Sequence, residues 1–245
     1  MKFKPGSIKN RLKSYVCEAI KKINIIHKLD YDKIPIYLHD NIRLASCAKE
    51  ADTVRWIEGF GKDDVVFDIG ANVGAYSLIM AKYAGKVYAF EPSVFTFNTL
   101  VKNIYTNKAF NIVPLNLALS RRKKLGTFLY SSTDLGSSSN SFDGVSGGEA
   151  YKQEMLSYSI DEFIESFEIR SPNHIKLDVD GIEFEILKGA ARTISGKTFK
   201  SLLVEAGEQD DQMFSYLEDL GLKRTGKYYL GDSKIHNYLF TKKTK

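Results

Sequence analysis

Short runs of apolar residues alternate along most of the chain with segments in which apolar residues recur at helical spacing. The apolar runs lie at 63–69, 85–91, 110–119, 173–179 and 200–206. Runs that are apolar almost throughout are typical of short strands buried on both faces. Helical spacing is found at 74–84, 93–105, 182–192 and 210–220. This alternation predicts an α/β fold with a doubly wound, mostly parallel sheet.

The end of the chain departs from this alternation. Residues 222–243 read as two strands around the turn Gly231, Asp232 and Ser233. Two strands joined by a turn of this composition predict an antiparallel hairpin, which we place at the edge of the sheet.

The beginning of the chain carries a helical pattern of its own. From Ile8 to Ile26, apolar residues recur at helical spacing and most of the lysines and arginines fall on the opposite face. This predicts an amphipathic basic helix, whose apolar stripe must be buried. We expect it to dock on the protein's own surface or on a second subunit. Because anionic lipid attracts a basic face, peripheral membrane contact through residues 8–28 is the alternative.

A short strand pair and a helix follow. Residues 34–46 read as two strands around a turn at 39–41, and residues 49–60 as a helix. We therefore divide the chain into an N-terminal helix and strand pair, 1–45, and a main domain, 46–245.

One stretch is of low complexity. Residues 131–150 are rich in serine and glycine, a composition typical of flexible linkers. Predicted strands lie on both sides of it, however, and a long loop within one domain is more often a lid or a substrate-binding segment. We favour that interpretation over a linker.

Length and composition limit the kinds of protein that this chain can be. The chain has 245 residues, 43% of them hydrophobic, which is enough for one α/β domain with a full core. The net charge of +5 is mild and spread along the chain, so it points only weakly to acidic partners. Two cysteines are too few for a disulfide framework, and no apolar run reaches about 18 residues. We expect a soluble, cytoplasmic protein.

The turn after the first buried strand, within VVFDIGANVGAYS, is the clearest candidate binding site. In a parallel sheet, ligands bind at the carboxyl ends of the strands where the strand order reverses. Gly70 and Gly74 allow a close approach of the backbone, and the helix that begins near Gly74 presents free N–H groups. Glu91 ends the next strand about 20 positions after Gly70, where an acidic residue binds a ribose hydroxyl. This predicts a nucleoside ligand.

Two features distinguish between nucleoside ligands. The dinucleotide fingerprint needs glycines where this chain has Asn72 and Ala75. Asp68 ends the first strand, and its carboxylate repels phosphate but suits the amino acid portion and sulfonium charge of S-adenosylmethionine. The spacing therefore favours a methyl donor over NAD. The structural alternative is that Asp68 caps the helix and Glu91 is a solvated strand end.

Several motifs of the chain occur together in one known family. In order, they are VVFDIGANVGAYS, KVYAFEPSVFTFNTLVKNI, NLALS, IKLDVDGIEFEILKGA, LLVEA and NYLFTKK, within about residues 45–242. Together they resemble the FkbM family of S-adenosylmethionine-dependent methyltransferases. The resemblance implies a class I methyltransferase (Rossmann-like) fold and methylation of a hydroxyl oxygen, commonly on a sugar or polyketide-like small molecule.

The resemblance also implies which residues contact the donor. They are Asp68, Gly70, Ala71, Asn72, Gly74, Glu91 and Pro92, with Ala118 and its neighbours beside the adenine. The family usually has Asp-Val-Glu-Gly where this chain has Asp178, Val179, Asp180 and Gly181. The shorter carboxylate of Asp180 keeps the charge but changes its reach.

Methyl transfer from a sulfonium is an in-line displacement, so the protein must mainly position the acceptor oxygen and remove its proton. The candidates at strand carboxyl ends are Asp178, Asp180 and Glu205. Lys176 lies two residues before Asp178 and therefore on the same strand face. A buried pair of Lys176 and Asp178 either tunes one of the two groups or is a neutralised structural pair.

A divalent cation is a weaker alternative. Asp178, Asp180 and Glu183 lie close together in sequence, and carboxylate oxygens are ligands for hard cations. Glu183 and Glu185 are, however, typical of the first turn of a helix, where negative charge is favourable. We therefore assign no metal ligand.

The acceptor is expected to be a small molecule or a glycan and not nucleic acid. The chain has no Pro-Pro pair, so it lacks the element with which amino methyltransferases act on bases, and no basic-aromatic platform stands out. The leading hypothesis is an O-methyltransferase of a sugar or glycoconjugate precursor. The alternative is a non-catalytic, donor-binding scaffold of a glycan or natural-product assembly. An oligomer is compatible with either.

Overall fold

The computed structural model of the protein describes residue 15 and residues 26–132, 140–143, 151–231 and 234–242. Its strands are β1 (His27–Lys28), β2 (Tyr37–Leu38), β3 (Val65–Ile69), β4 (Lys86–Phe90), β5 (Ile112–Leu115), β6 (Ala118–Leu119), β7 (Lys124–Tyr130), β8 (Ser141–Phe142), β9 (Tyr151–Tyr158), β10 (His174–Leu177), β11 (Ser201–Gly207), β12 (Leu222–Tyr229) and β13 (Ile235–Lys242). Its helices are α1 (Ser46–Lys49), α2 (Ala51–Glu58), α3 (Ala75–Tyr83), α4 (Val94–Thr106), α5 (Ile160–Ser166), α6 (Glu183–Lys188), α7 (Ala191–Ser195) and α8 (Asp211–Asp219).

A seven-stranded sheet, in the order β12-β13-β11-β10-β3-β4-β5, forms the centre of the fold. The strands β11, β10, β3, β4 and β5 pair in parallel. Strand β13 is antiparallel to both β11 and β12. The predicted doubly wound, mostly parallel sheet with a C-terminal antiparallel hairpin is confirmed. Within that hairpin, β13 lies inside the sheet and β12 forms its edge.

The strand order reverses between β3 and β10. From β3 the chain proceeds outward through β4 to β5, whereas from β10 it proceeds through β11 on the other side. Helices follow β3, β4, β10 and β11 and cover both faces of the sheet. Such a reversal opens a crevice at the carboxyl ends of the two neighbouring strands.

The two faces of the sheet carry separate apolar clusters. One packs Phe67, Ile175 and their neighbours against α5, α6, α7 and α8. The other packs Val66 and its neighbours against α2, α3, α4 and apolar residues of the segment 29–38. All residues of β3 and β10 are buried. Burial on both faces explains why these strands read as continuous apolar runs.

A second sheet of four strands, in the order β6-β9-β7-β8, is absent from the sequence prediction. The prediction of one strand at 110–119 is wrong, because β5 belongs to the central sheet and β6 to the second one. The side chain of Asn116 lies between them and donates to the carbonyl oxygens of Glu91 and Pro92 at 2.9 and 2.8 Å. These bonds fix the chain where it leaves the first sheet.

A strand pair forms near the N-terminus, but the partner of β2 is not the predicted one. Strand β2 pairs with β1 and not with residues after the turn at 39–41. The backbone N–H of His39 instead donates to Asn103 Oδ1 at 2.7 Å, and its ring contacts Thr106 Oγ1 at 2.6 Å. These bonds to α4 replace the expected strand ladder. The helix predicted for 49–60 is present as α2, and Gly59 is its C-cap residue.

Three predictions concern residues of which little or nothing is described. The amphipathic helix at 8–26 lies outside the described residues, apart from Tyr15 and Ile26, so its docking, membrane contact and role in an oligomer stay predictions. The division at residue 45 also stays a prediction. Of the serine- and glycine-rich stretch, residues 131–132 and 140–143 are described, and β8 pairs with β7. Among the described residues, no helix is long and apolar enough to cross a membrane.

The buried side chain of Asn173 joins three segments at the amino ends of the central strands. Its Oδ1 accepts from the N–H of Val65 at 2.9 Å, and its Nδ2 donates to the carbonyl of Thr198 at 2.8 Å. Its own backbone N–H donates to the carbonyl of Val65 at 2.8 Å. This residue therefore sets the register with which β3 and β10 begin.

Replacing Asn173 with alanine should lower the free energy of unfolding by about 1–3 kcal/mol, because the N–H of Val65 then stays buried without its partner. Urea denaturation of the purified protein measures this. Lys102→Ala, an exposed position on α4, is the control and should change the free energy by less than about 0.5 kcal/mol. Equal stability of the two variants would show that Asn173 does not hold the strands together.

Candidate active site

Charged side chains line the crevice where the strand order reverses. Asp68 on β3 lies opposite Lys176 on β10, and Glu205 on β11 lies opposite Asn237 on β13. Asp178 follows β10 by one residue and Glu91 follows β4 by one residue. The parallel sheet thus brings together carboxylates that are far apart in sequence.

The turn between β3 and α3 depends on three residues with positive φ. These are Gly70 at 80°, Asn72 at 52° and Gly74 at 89°. Asparagine tolerates this conformation better than most residues, which explains its presence in the turn. A Cβ atom on Gly70 would lie 1.8 Å from the carbonyl oxygen of Asp178, and one on Gly74 would lie 2.4 Å from Leu100 Cδ1. The two glycines therefore bring the turn against the end of β10 and against α4.

Glu91 is held with its carboxylate at the turn. Its Oε2 accepts from the N–H of Asn72 at 2.9 Å and its Oε1 accepts from the N–H of Ser93 at 2.8 Å. Burial raises the pKa of Glu91 to about 7, although these two hydrogen bonds act in the opposite direction. The carboxyl group therefore changes its charge near neutral pH.

Asp68 is buried with one oxygen in use. Ser77 Oγ donates to its Oδ2 at 2.5 Å, whereas its Oδ1 has no hydrogen-bond partner among the described residues. Burial raises the pKa of Asp68, and the charge of Lys176 acts against this rise. A buried oxygen of this kind is costly unless a ligand donates to it.

Lys176, Asp178 and Glu205 form a hydrogen-bonded row. Lys176 Nζ, on a side chain that is 3% exposed, donates to Asp178 Oδ2 at 2.6 Å. Burial alone lowers the pKa of Lys176, but the charges of Asp178 and Asp68 raise it above its ordinary value. Burial and the charge of Asp178 raise the pKa of Glu205 to about 8. Burial also acts to raise the pKa of Asp178, but Lys176 and the hydrogen bond with Glu205 hold it below its ordinary value.

Two adjoining pockets lie over the turn. The first, of about 120 Å³, is lined by the predicted residues Asp68, Gly70, Ala71, Asn72, Glu91, Pro92, Lys176, Asp178 and Asp180. The second, of about 40 Å³, is largely apolar and is lined by Ala118, Leu117, Phe128, Phe142 and Ile182, among others. The polar lining of the first and the apolar lining of the second suit the polar and the aromatic parts of a nucleoside ligand. Gly74 caps α3 and does not line either pocket.

A larger cavity of about 830 Å³ opens beside the first pocket. Asp178 and Asp180 line both. Glu205 lines only the larger cavity, and Lys176 only the smaller pocket. The predicted site residues, Gly74 apart, thus lie on one continuous depression, with Asp178 where its two parts meet.

The divalent-cation alternative is not supported. Within the described ranges, no group of three or more His, Cys, Asp or Glu side chains is arranged to hold a metal ion. Asp178 is paired with Lys176, and Glu183 Oε1 accepts from the N–H of Gly181 at 3.2 Å. Glu185 pairs with Lys188 on the helix surface. Asp178, Glu183 and Glu185 therefore each have a separate partner.

Several residues of the pocket wall were not predicted from the sequence. They are Arg43, Glu50, Tyr76, Phe128 and Asn140. In β7, buried Gly126 and Phe128 alternate with exposed Leu125 and half-buried Thr127, but buried Leu129 breaks the alternation, so the sequence signal for this strand is weak. Arg43 lies on an irregular segment, where no periodicity marks a functional residue.

Comparison with known proteins agrees with this geometry. The family described as "Methyltransferase FkbM domain" matches residues 68–223. The hexuronic acid methyltransferase AglP of Haloferax volcanii is 29% identical over 182 residues, which cover 74% of this chain and 72% of the relative. The tRNA (guanine(37)-N(1))-methyltransferase Trm5b of Pyrococcus abyssi is 32% identical over 104 residues, 41% of this chain and 28% of the relative.

Solved structures show the same fold. The crystal structure of methyltransferase FkbM from Methylobacillus flagellatus has a TM-score of 0.55 at 19% identity, over 74% of this chain and 44% of that structure. This chain thus spans less than half of that protein. The structure of Trm5b has a TM-score of 0.50 at 18% identity, over 90% of this chain and 56% of that one. Because one similar protein acts on tRNA, the exclusion of nucleic acid stays a prediction.

The match covers most of the chain, from the end of β3 to the start of β12, and includes the turn and the row of charged residues. The central sheet has the arrangement of a class I methyltransferase. The chain belongs to the FkbM family of S-adenosylmethionine-dependent methyltransferases.

Proposed function

We propose that the protein transfers the methyl group of S-adenosylmethionine to a hydroxyl oxygen of a sugar or glycan. The position of Asp178 carries this proposal, because it lines both the smaller pocket and the larger cavity. A group at this junction reaches a donor on one side and an acceptor on the other. The hexuronic acid methyltransferase among the similar proteins supports a sugar as acceptor.

The two smaller pockets hold the donor in this proposal. Glu91 accepts hydrogen bonds from the ribose hydroxyls, as its place at the end of β4 favours. Asp68 Oδ1, which lacks a partner among the described residues, accepts from the ammonium group of the methionyl part. The adenine enters the apolar pocket beside Ala118 and Phe128. A donor held in this way would supply its methyl group on the side of the pocket where Asp178 lies.

The reaction is an in-line displacement at the methyl carbon. The bond between sulfur and the methyl group breaks, and its electron pair stays on sulfur. The acceptor oxygen forms the new bond to carbon, and its proton passes to the carboxylate of Asp178. Because an alkyl hydroxyl is a weak nucleophile, a positioned base accelerates such a step. The products are S-adenosylhomocysteine and a methyl ether.

The neighbours of Asp178 prepare it for this role. Lys176 donates to Asp178 Oδ2 and keeps the carboxyl group ionised. Glu205, with a pKa of about 8, carries a proton at neutral pH and donates it in the hydrogen bond to Asp178. Lys176 and Glu205 thus orient the base without contacting the donor methyl. Asp180 is exposed at the same junction, where it can accept from a hydroxyl of the acceptor.

A direct assay tests the proposed function. The purified protein is mixed with S-adenosylmethionine labelled in its methyl group and with hexuronic acids, neutral hexoses and amino sugars, free and as glycosides. We expect label to appear in an alkali-stable methyl ether of at least one sugar. Donor binding without transfer to any acceptor, including a cell extract, would support the non-catalytic scaffold instead.

Replacing Asp178 with asparagine should reduce turnover by about 10²- to 10⁴-fold, the usual contribution of a general base. Donor affinity should change little, because the amide keeps the size of the side chain. Glu205→Gln should have a smaller effect, since its amide still donates to Asp178. Single-turnover kinetics and calorimetry measure the two quantities.

Glu185→Gln is the matched control, because this carboxylate lies on the same segment but lines neither the pocket nor the cavity. It should retain full turnover. A folded Asp178→Asn variant with nearly normal turnover would contradict the assignment of the base and would point to Asp180.

Donor affinity should depend on pH through Glu91. The ionised carboxylate accepts from the ribose hydroxyls, whereas the protonated form accepts poorly. Because the pKa of Glu91 is about 7, affinity should fall as the pH drops from 8 to 6, by about tenfold per unit below the pKa. Calorimetry across this range measures it. Glu91→Gln should bind more weakly and with a smaller pH dependence; an unchanged slope would assign the effect to another group.

A further inference from the structure

Arg43 lies where the donor pocket and the larger cavity meet, and nothing in the motif pattern singles it out. It lines both, and its Nε is buried without a hydrogen-bond partner among the described residues. Its positive charge lowers the pKa of Asp178. A buried guanidinium nitrogen without an acceptor is unfavourable, so the site favours an anionic ligand.

The backbone that carries Arg43 is fixed. Its carbonyl oxygen accepts from Ser46 N at 3.2 Å and from Ser46 Oγ at 2.8 Å. The carboxylate of Asp30 accepts from the N–H groups of Cys47 and Ala48 at 3.0 and 2.7 Å. Tyr76 OH donates to the carbonyl of Ser46 at 3.0 Å and so joins the segment to α3. The guanidinium is therefore presented to the pocket from a defined position.

We propose that Arg43 binds the α-carboxylate of the methyl donor. This inference rests on the proposed function and names a binding residue outside the matched segment 68–223. The methionyl end of the donor carries an ammonium and a carboxylate group. Among the described residues that line this pocket, Asp68 Oδ1 and Arg43 Nε are the buried atoms without a hydrogen-bond partner, and they belong to side chains of opposite charge. They complement the two ends of the zwitterion.

The other source of a carboxylate is an acidic acceptor in the larger cavity. The acidic side chains that line that cavity are Glu50, Asp178, Asp180, Glu183, Glu205 and Asp210. Arg43 is the only cationic side chain among its described lining residues. Although Glu183 and Glu205 retain protons near neutral pH, the remaining carboxylates repel an anion. The donor pocket is acidic too, but Lys176 adds a second positive charge there, and the donor's own ammonium and sulfonium groups are attracted by the carboxylates that would repel a simple anion. These charges favour the donor as the ligand of Arg43.

The test compares ligands that differ in the carboxylate. Calorimetry measures binding of S-adenosylhomocysteine, S-adenosylmethionine and decarboxylated S-adenosylmethionine to the wild-type protein and to Arg43→Gln. The substitution should weaken the two carboxylate ligands by roughly 10- to 100-fold, as expected for a lost hydrogen bond to a charged group. Binding of the decarboxylated ligand should stay within about twofold. Arg43→Lys, which keeps the charge, should restore part of the affinity for the carboxylate ligands only.

Arg55→Gln is the matched control, because Arg55 lies on the exposed side of α2 and pairs with Asp52. It should bind all three ligands as the wild type does. Equal weakening of all three ligands by Arg43→Gln would overturn the inference and assign Arg43 a structural role. Unchanged donor binding with a raised KM for an acidic acceptor would overturn it in favour of the acceptor. If the wild-type protein bound none of the ligands, the proposed function itself would fail.

Discussion

The close contact between the turn after β3 and the end of β10 determines the geometry of the site. The N–H of Asp178 donates to the carbonyl of Ile69 at 3.0 Å, and Gly70 lies so close to the Asp178 carbonyl that no side chain fits between them. This contact exists because β3 and β10 are neighbours at the reversal of strand order. It brings the glycine turn and the proposed base together, although more than 100 residues separate them. The pocket and the cavity meet at this point.

Lys176, Asp68 and Asp178 form a cluster of opposite charges at this contact. Lys176 is almost completely buried between Asp68 and Asp178, and its ammonium lies 5.1 Å from the ring centre of Tyr76. The side chain of Asp178 is 38% exposed, so the main cost of removing it is that the buried ammonium of Lys176 stays behind without this partner. With both carboxylates ionised, the cluster keeps one negative charge more than Lys176 neutralises. Arg43, which lines the same pocket and lowers the pKa of Asp178, supplies a second positive charge.

The regular part of the fold could be predicted from sequence because the spacing of apolar residues reflects which positions are buried. The strands β3, β4, β10 and β11 and the helices that follow them produce clear patterns, and parallel pairing then places Asp68, Glu91 and Asp178 at one edge. The partner of β2 was not predicted, since β1 and β2 have two residues each and carry no periodic signal. The second sheet was not predicted because β6 and β8 are equally short and because exposed Leu125 and Leu156 obscure the alternation in β7 and β9. Arg43 was missed for a similar reason. Its role depends on the path of an irregular segment. That path is determined by a hydrogen bond from the segment to Asp30 and by one from Tyr76 to the segment.

The protonation states of the site could not be predicted from sequence either, because they depend on distances across strands. Asp178 and Glu205 belong to different strands, and only their contact gives one a lowered pKa and the other a pKa of about 8. In the proposed reaction, this difference affects the binding of the donor before methyl transfer and the binding of the product after it. Before transfer, the pairing of Asp178 with Lys176 weakens its attraction for the sulfonium, so the donor ground state is not stabilised excessively. After transfer the sulfonium charge is gone and Asp178 has gained a proton. The attraction between them then disappears, and in this proposal the product S-adenosylhomocysteine is held mainly at its ribose, by Glu91, and at its methionyl end, beside Asp68.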